Sequence, residues 1–528
     1  MDILKAISDE VQDWRSLAAE EPGAHERKLA RSLNTLSVRL AEFGRREEAL
    51  AAIEEAVQIR RRVAQANPES GEPELARSLN NLSNRLAEVG RREEALATIE
   101  EAVEIRRSLA ALRPASYVPE LARSLNNLSN RLADLGRRDE ALAPIEEAVE
   151  IRRRLSAADP ERREPELAAS LNNLSNRLDE MGRPEEALAP IEEAVAIRKR
   201  LADADPAKYE PALAGSLNNL SNRLGALGRR EEALALIEEA VRIRRGLAAS
   251  NPTASEPSLA RSLTNLAVHS GHLGRAEDSL AAIESAVEIF RKLAAEIPAG
   301  YEPDLASALN NLGVALIEMN RRQEALAAIE ESIAIRRLLA DTNPAAFRPE
   351  LGSSLNNFST LLGDLERPEE ALAAIEESVA IGRALAEVNP DAFRSELATG
   401  LNNLSNLLGD LERPAEALAA IEESVGIRRE LAEVDPDAFR PQLAGALNNL
   451  SNRLGDLGRP EDALKVGEES VEMFRDLSET RPRAYDLDLA FALENLAGRL
   501  DVLERQEEAE TVRAESGQIL AEMGGGAD

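Results

Sequence analysis

The sequence contains no cysteine. That excludes disulfides, thiolate metal sites and a cysteine nucleophile, and is compatible with a reducing compartment. Only 3 histidines are present, so metal binding and acid–base chemistry near neutral pH have few carriers. Aromatic residues make up 2% of the 528 residues, with 1 Trp. Sheet cores lean on aromatic and β-branched side chains, so this scarcity favours small, aliphatic, helical packing. Basic residues are in deficit, 64 against 96 acidic, for a net charge of −32. Such a field repels nucleic acid and anionic membrane, and draws basic proteins. No apolar run approaches the roughly 18 residues of a membrane span. The start, from Met1 to Glu10, carries acids where a secretory peptide needs a basic stretch. A cytoplasmic chain is expected.

What is present in abundance is a repeat. The string Ser78-Leu79-Asn80-Asn81-Leu82-Ser83-Asn84-Arg85-Leu86 returns unchanged from Ser124, Ser170 and Ser216. Related strings begin at Ser32, Ser262, Ala308, Ser354, Gly400, Ala446 and Ala492, always at a spacing of 46 residues. Eleven copies at a fixed period imply a solenoid, in which each unit packs on its neighbours.

Within the unit running from Pro73 to Val118, Leu75, Leu79, Leu82, Leu86 and Val89 recur at helical spacing. Gly90 supplies the left-handed residue that ends such a helix. A second helix from Arg92 to Leu112 carries Ala95, Leu96, Ile99, Ala102, Val103 and Leu109 on a broader face. Pro114 and its equivalents, from Pro22 to Pro482, are expected to stop the second helix and open a loop. Pro184, Pro368, Pro414 and Pro460 stand where a second helix begins, a position that needs no N–H. The predicted unit is helix, tight turn, longer helix, loop. Residues 1–26 align with a second helix alone, with Ile7, Val11 and Trp14 on one face, and are expected to cap the solenoid as a half repeat. Residues 27–523 hold the eleven repeats, and 524–528 are expected to form a flexible tail. In the last unit Glu510 and Arg513 replace Leu96 and Ile99, which suits an end rather than a further joint.

The pattern Leu79-Asn80-Asn81-Leu82, Gly90, Glu94-Ala95-Leu96, Ile99 and Ala102-Val103 resembles the tetratricopeptide repeat. It is most similar to the long-repeat variety of kinesin light chains and bacterial signalling proteins. Two departures are plain: Leu replaces the family's aromatic residues in the first helix, and 46 residues exceeds its usual repeat length. The resemblance implies an all-α, superhelical α-solenoid whose first helices line a concave groove.

On the first helix, Arg77, Asn81, Asn84 and Glu88 share a narrow stripe opposite the leucines. By the resemblance, this stripe faces a ligand. The Asn81 series continues through Asn127, Asn173, Asn219, Asn265, Asn311, Asn357, Asn403 and Asn449, and the Asn84 series through Asn130, Asn176, Asn222, Asn406 and Asn452. Arg123 repeats Arg77. Asparagine is a poor choice inside a helix, about half a kcal/mol worse than Ala. A carboxamide can, however, pair with an extended chain's N–H and C=O together. The same groups could instead bridge neighbouring helices. Arg85 and Glu88 recur three residues apart and suit an ion pair. Arg85 gives way to Ala315, Leu361 and Leu407 in later units, where a more apolar segment is expected.

Other series have a structural reading. Tyr117, Tyr209, Tyr301, Phe347, Phe393, Phe439 and Tyr485 are expected to staple loops to the rod, and the Glu-Glu and Arg-Arg pairs of the second helices to form a solvated outer face. His269 and His272 share a helix face, but two ligands make no structural zinc site. No phosphate loop, His-Glu-x-x-His or Gly-x-Ser-x-Gly motif occurs. The sequence therefore predicts a non-enzymatic, cofactor-free monomeric scaffold that takes an extended peptide or protein segment, basic partners being favoured. Two other readings stand beside it: a sensor subunit for a bacterial signalling ATPase or caspase-like protease, and a self-assembling repeat protein.

Overall fold

A computed structural model of the protein describes residues 2–480 and 484–524. Pro482 and residues 525–528 of the expected tail 524–528 lie outside the described residues, while Gly524 closes the helix Gln506–Gly524. The described chain is an α-solenoid of twenty-three helices. It divides into two compact units, residues 1–273 and 274–528.

In the first unit, the repeat is a pair of equal helices, such as Pro68–Glu88 and Arg92–Leu112. The turn between them is a Schellman motif. The Arg91 N–H reaches the Leu86 carbonyl at 2.9 Å, and the Gly90 N–H reaches Ala87 at 3.1 Å. Gly90 takes φ +81°, which glycine adopts without steric cost.

The expected loop is absent before the first helices that begin at Pro22 through Pro436. Pro114 does not open a loop; it is the first residue of the helix Pro114–Asp134, with only Arg113 between it and the preceding helix. Proline tolerates this position because the N–H it lacks would have no intrahelical partner. Asn67 shows how the junction closes: its side chain accepts the Ser70 N–H at 3.3 Å, capping the helix. Pro73, taken above as the start of the unit, lies inside the helix. The bond it removes would have gone to Glu69, in the exposed first turn where water can serve. Tyr117 and Tyr209 accordingly sit half-buried on the first turns of helices and pack against the core rather than on loops.

The core of this unit alternates Leu79, Ile99, Leu125, Ile145, Leu171 and Ile191, all fully buried. Each contributes about 1.5–3 kcal/mol by leaving water. Ala76, Ala95 and Ala102, also fully buried, let the helices approach closely without aromatic side chains.

The second unit repeats this plan, with Leu309, Ile329, Ile375, Leu401, Ile421 and Leu447 fully buried. Four of its turns lack glycine: Asn320, Glu366, Glu412 and Glu504 hold φ of 57°, 56°, 55° and 59°. Within each unit, among the described residues, the substantial contacts between alternate helices join first helices. Pro68–Glu88 meets Pro114–Asp134 in one unit, and Pro344–Asp364 meets Pro390–Asp410 in the other. First helices therefore line the tighter, inner side of each unit.

Candidate functional site

Eight of the eleven first helices bring two adjacent asparagines to the inner side, and the structure gives them different tasks. Asn80, 6% exposed, is an acceptor buried at the joint. Its Oδ1 takes the Asn127 Nδ2–H at 3.2 Å and the Ser124 hydroxyl at 3.3 Å, both from the following repeat. The same bond joins Asn81 to Asn34, Asn173 to Asn126, Asn219 to Asn172 and Asn265 to Asn218, at 3.0 to 3.2 Å. In the second unit Asn403 donates to Asn356 and Asn449 to Asn402, each at 3.0 Å. The result in each unit is a carboxamide ladder with one rung at each of these joints.

This revises the expectation for the Asn81 series. These carboxamides are not wholly available to a ligand, because an N–H of each donor (Asn81, Asn127, Asn173, Asn219, Asn265, Asn403 and Asn449) is committed to the neighbouring repeat. A rung leaves one N–H and the carbonyl oxygen of that carboxamide unspent. The side chains remain half-buried beside exposed Arg77 and Arg123. Asn311 and Asn357 occupy the same helical register and are half-exposed or exposed.

The Asn84 series is also partly drawn into the joints. Asn176 accepts from Arg223 at 3.2 Å and Asn452 from Arg499 at 2.8 Å, while Asn222 lies 3.3 Å from His269 Nε2. Asn84, Asn130 and Asn406 are half-buried on the same stripe. Arg85 pairs with Glu88 at 2.8 Å and Arg177 with Glu180 at 2.9 Å, as their spacing suggests. Arg77 and Arg123 pair with Glu74 and Glu120 along their own helices, at 3.1 and 3.0 Å. Ala315 and Leu361 are buried, so they add no apolar surface to the inner side. His269 is buried, and desolvation, aided by nearby His272, lowers its pKa. No cluster of three or more potential metal ligands occurs among the described residues.

The Arg-Arg pairs depart from the expected solvated face. The first member of most pairs is buried and reaches the next first helix. Arg106 meets the Glu120 carboxylate at 2.9 Å, and Arg152 meets the Glu166 carbonyl at 2.8 Å together with the Ser170 hydroxyl. Desolvation pulls the Arg152, Arg198 and Arg244 guanidinium pKa down to about 10. The second member stays outside and spans to the next second helix: Arg61 to Glu101 at 2.5 Å, Arg107 to Glu147 at 2.6 Å, Arg429 to Glu469 at 2.8 Å. Short carboxamides thus hold the tight inner seam, and long ion pairs the wider outer one. The signal was in the sequence: the 47-residue offset from Asn80 to Asn127, one more than the repeat, is a diagonal between neighbouring helices.

Among the described residues, no helix is long and apolar enough to cross a membrane. No curated protein matches the sequence. Among solved structures, BtubC (BKLC) from P. vanneervenii is 23% identical over 47% of this chain and 92% of its own, with a TM-score of 0.38. The nearly identical TPR-like repeats of a putative kinesin light chain from Podosopora anserina are 26% identical over 43% of this chain and 98% of theirs, with a TM-score of 0.33. A tetratricopeptide repeat model matches residues 29–69, 75–110, 121–160, 167–207, 213–248, 351–391, 397–437 and 443–480, and a second one matches 258–337. The first alone takes in more than half of the sequence, and the chain belongs to the tetratricopeptide repeat family, whose repeats generally serve as protein–protein interaction scaffolds.

Proposed function

We propose that the inner side of the first helices binds an extended segment of another protein. The observation that carries this reading is the carboxamide ladder. A rung fixes the orientation of its asparagine while leaving one N–H and one carbonyl oxygen on the stripe, so little side-chain entropy remains to be lost on binding. The pairing recognises main chain irrespective of side chain. The net charge of −32 adds long-range attraction for basic segments. The chain acts without catalysis, and as a monomer.

The test uses positions that do not hold the ladder. The full chain is titrated with unstructured peptides of matched length and graded charge, read by fluorescence anisotropy. Basic peptides should bind saturably. Asn84→Ala and Asn130→Ala should each weaken them about fivefold, one lost hydrogen bond, at unchanged thermal stability. Binding that ignores both substitutions, or no saturable binding at any charge, removes the proposal.

A further inference from the structure

One column of the repeat runs through the joints between neighbouring units. At 46-residue intervals it reads Trp14, Arg60, Arg106, Arg152, Arg198, Arg244, Phe290, Arg336, Gly382, Arg428, Phe474 and Leu520. Every place holds a large side chain except Gly382. The neighbours on either side show what is missing there. Arg336 donates to the Glu350 carbonyl at 2.9 Å, to the Ser354 hydroxyl, and to the Ser307 hydroxyl at 3.3 Å. Arg428 donates to the Gln442 carbonyl at 2.6 Å and to the Thr399 hydroxyl at 3.4 Å.

Around Gly382 the receiving groups remain although the arginine is gone. Glu396 stands in the register of Glu74 and Glu120, which pair with Arg60 and Arg106 at 2.6 and 2.9 Å. Ser353 stands in the register of Ser307 and Thr399. Glu396 makes no ion pair among the described residues, and desolvation raises its pKa. In the register of Ser354 the chain has Gly400, which enlarges the space further. The outcome is a cavity of about 190 Å³ between the helices Pro344–Asp364, Pro368–Val388 and Pro390–Asp410. Its apolar wall includes Ile381, Leu385 and Leu397, and its lining also includes Ser353 and Asn357, exposed residues in the stripe registers of Arg77 and Asn81.

We propose that this cavity is a socket for a cationic side chain of the bound protein, an arginine guanidinium, received by the Glu396 carboxylate and carbonyl and the Ser353 hydroxyl. The partner thereby supplies in trans the arginine that seven other joints hold in cis. A planar fork of donors suits two acceptors on one side and a hydroxyl on the other better than a compact ammonium does. The apolar wall covers the stem. The socket rests on the reading that the inner stripe binds another chain. It adds to that reading a fixed point that sets the register of a segment otherwise held through its backbone.

The experiment uses the full chain with labelled Ile, Leu and Val methyl groups, observed by NMR. The probes are Nα-acetyl-arginine amide and its uncharged isostere, Nα-acetyl-citrulline amide. The arginine compound should shift the Ile381, Leu385 and Leu397 methyl signals saturably, and the citrulline compound should not. Gly382→Arg should abolish the response by refilling the socket. The fold accepts this change, since a Cβ at Gly382 meets its nearest neighbour, Leu397, at 3.4 Å, an ordinary contact. Glu396→Gln should weaken the response about tenfold. Arginine-containing peptides should lose affinity in Gly382→Arg, whereas the matching citrulline peptides should not. No saturable shift, equal shifts with citrulline, or shifts that persist in Gly382→Arg would overturn the socket. Those outcomes leave the Asn84 and Asn130 dependence of peptide binding to be judged separately. Conversely, a response to the arginine compound without the peptide effect would keep the cavity as a guanidinium site but overturn its occupant as part of a bound protein.

Discussion

Asn80 Oδ1 sits 3.2 Å from Asn127 Nδ2, and this one bond decides which of two adjacent asparagines is structural and which faces outward. Asn80 is buried and takes two donors; Asn127 is half-buried and gives one. Asn80→Ala strands the Ser124 hydroxyl and an Asn127 N–H, and should cost about 1–3 kcal/mol. Asn127→Ala leaves Asn80 with Ser124 and a smaller debt, about 1 kcal/mol. A solenoid need not unfold in one step, so the measurement is hydrogen exchange across Pro68–Glu88 and Pro114–Asp134. Equal loss of protection in both variants would contradict the assignment.

Repetition made the helical pair, its Gly90 turn and the Leu79–Ile99 core legible, because each depends on spacing within one unit. The entry of the first helix was harder. Pro114 can stop one helix or start the next, and only the one-residue junction at Arg113 shows that it starts one. The site was less legible still. Asn80 and Asn81 have the same chemistry in the sequence, and the stripe that holds Asn81 gives Asn80 no task. Burial at a joint is set by the neighbouring repeat, which a single-helix stripe does not contain. The buried first arginines escaped for a related reason. Arg-Arg pairs look solvated until the next first helix is placed against Arg106 and Arg152. Gly382 was visible as a break in a column, but its meaning required knowing that the column is buried.

His269 offers a pH-dependent handle on one joint. Its pKa is lowered by desolvation and then by His272, so the folded chain favours the neutral ring beside Asn222. The unfolded chain takes up the proton near pH 6.5, the ordinary histidine value. The unfolded state therefore binds more protons as pH falls through that value. Stability that is present above about 6.5 is lost toward the folded pKa. Wild-type protein should lose more thermal stability than His269→Gln between about pH 7.5 and 5.5. His25 and the carboxylates are common to both proteins and cancel in the difference, and His272 enters it only through its repulsion of a protonated His269. Parallel pH profiles would show that the ring is not kept neutral by the fold.

The buried arginines raise the question of whether charge or volume holds a joint. Arg152 is 7% exposed and contacts the Glu166 carbonyl at 2.8 Å and the Ser170 hydroxyl. Burial lowers its pKa to about 10, so the group stays charged at neutral pH and pays desolvation. Methionine keeps much of the stem volume and removes the charge. Ser170 retains a partner in Asn126 Oδ1 at 3.1 Å, and no buried charge is left behind by the exchange. Arg152→Met should therefore fall within about 1 kcal/mol of wild type or exceed it. Arg152→Ala opens a cavity at the joint and should cost about 3 kcal/mol. Urea unfolding of the two variants, with hydrogen exchange across Pro160–Glu180 as the local readout, separates the terms. If Met proves as damaging as Ala, the guanidinium's hydrogen bonds outweigh its packing, and the same bonds would then be strong enough to anchor an arginine arriving from another chain at Gly382.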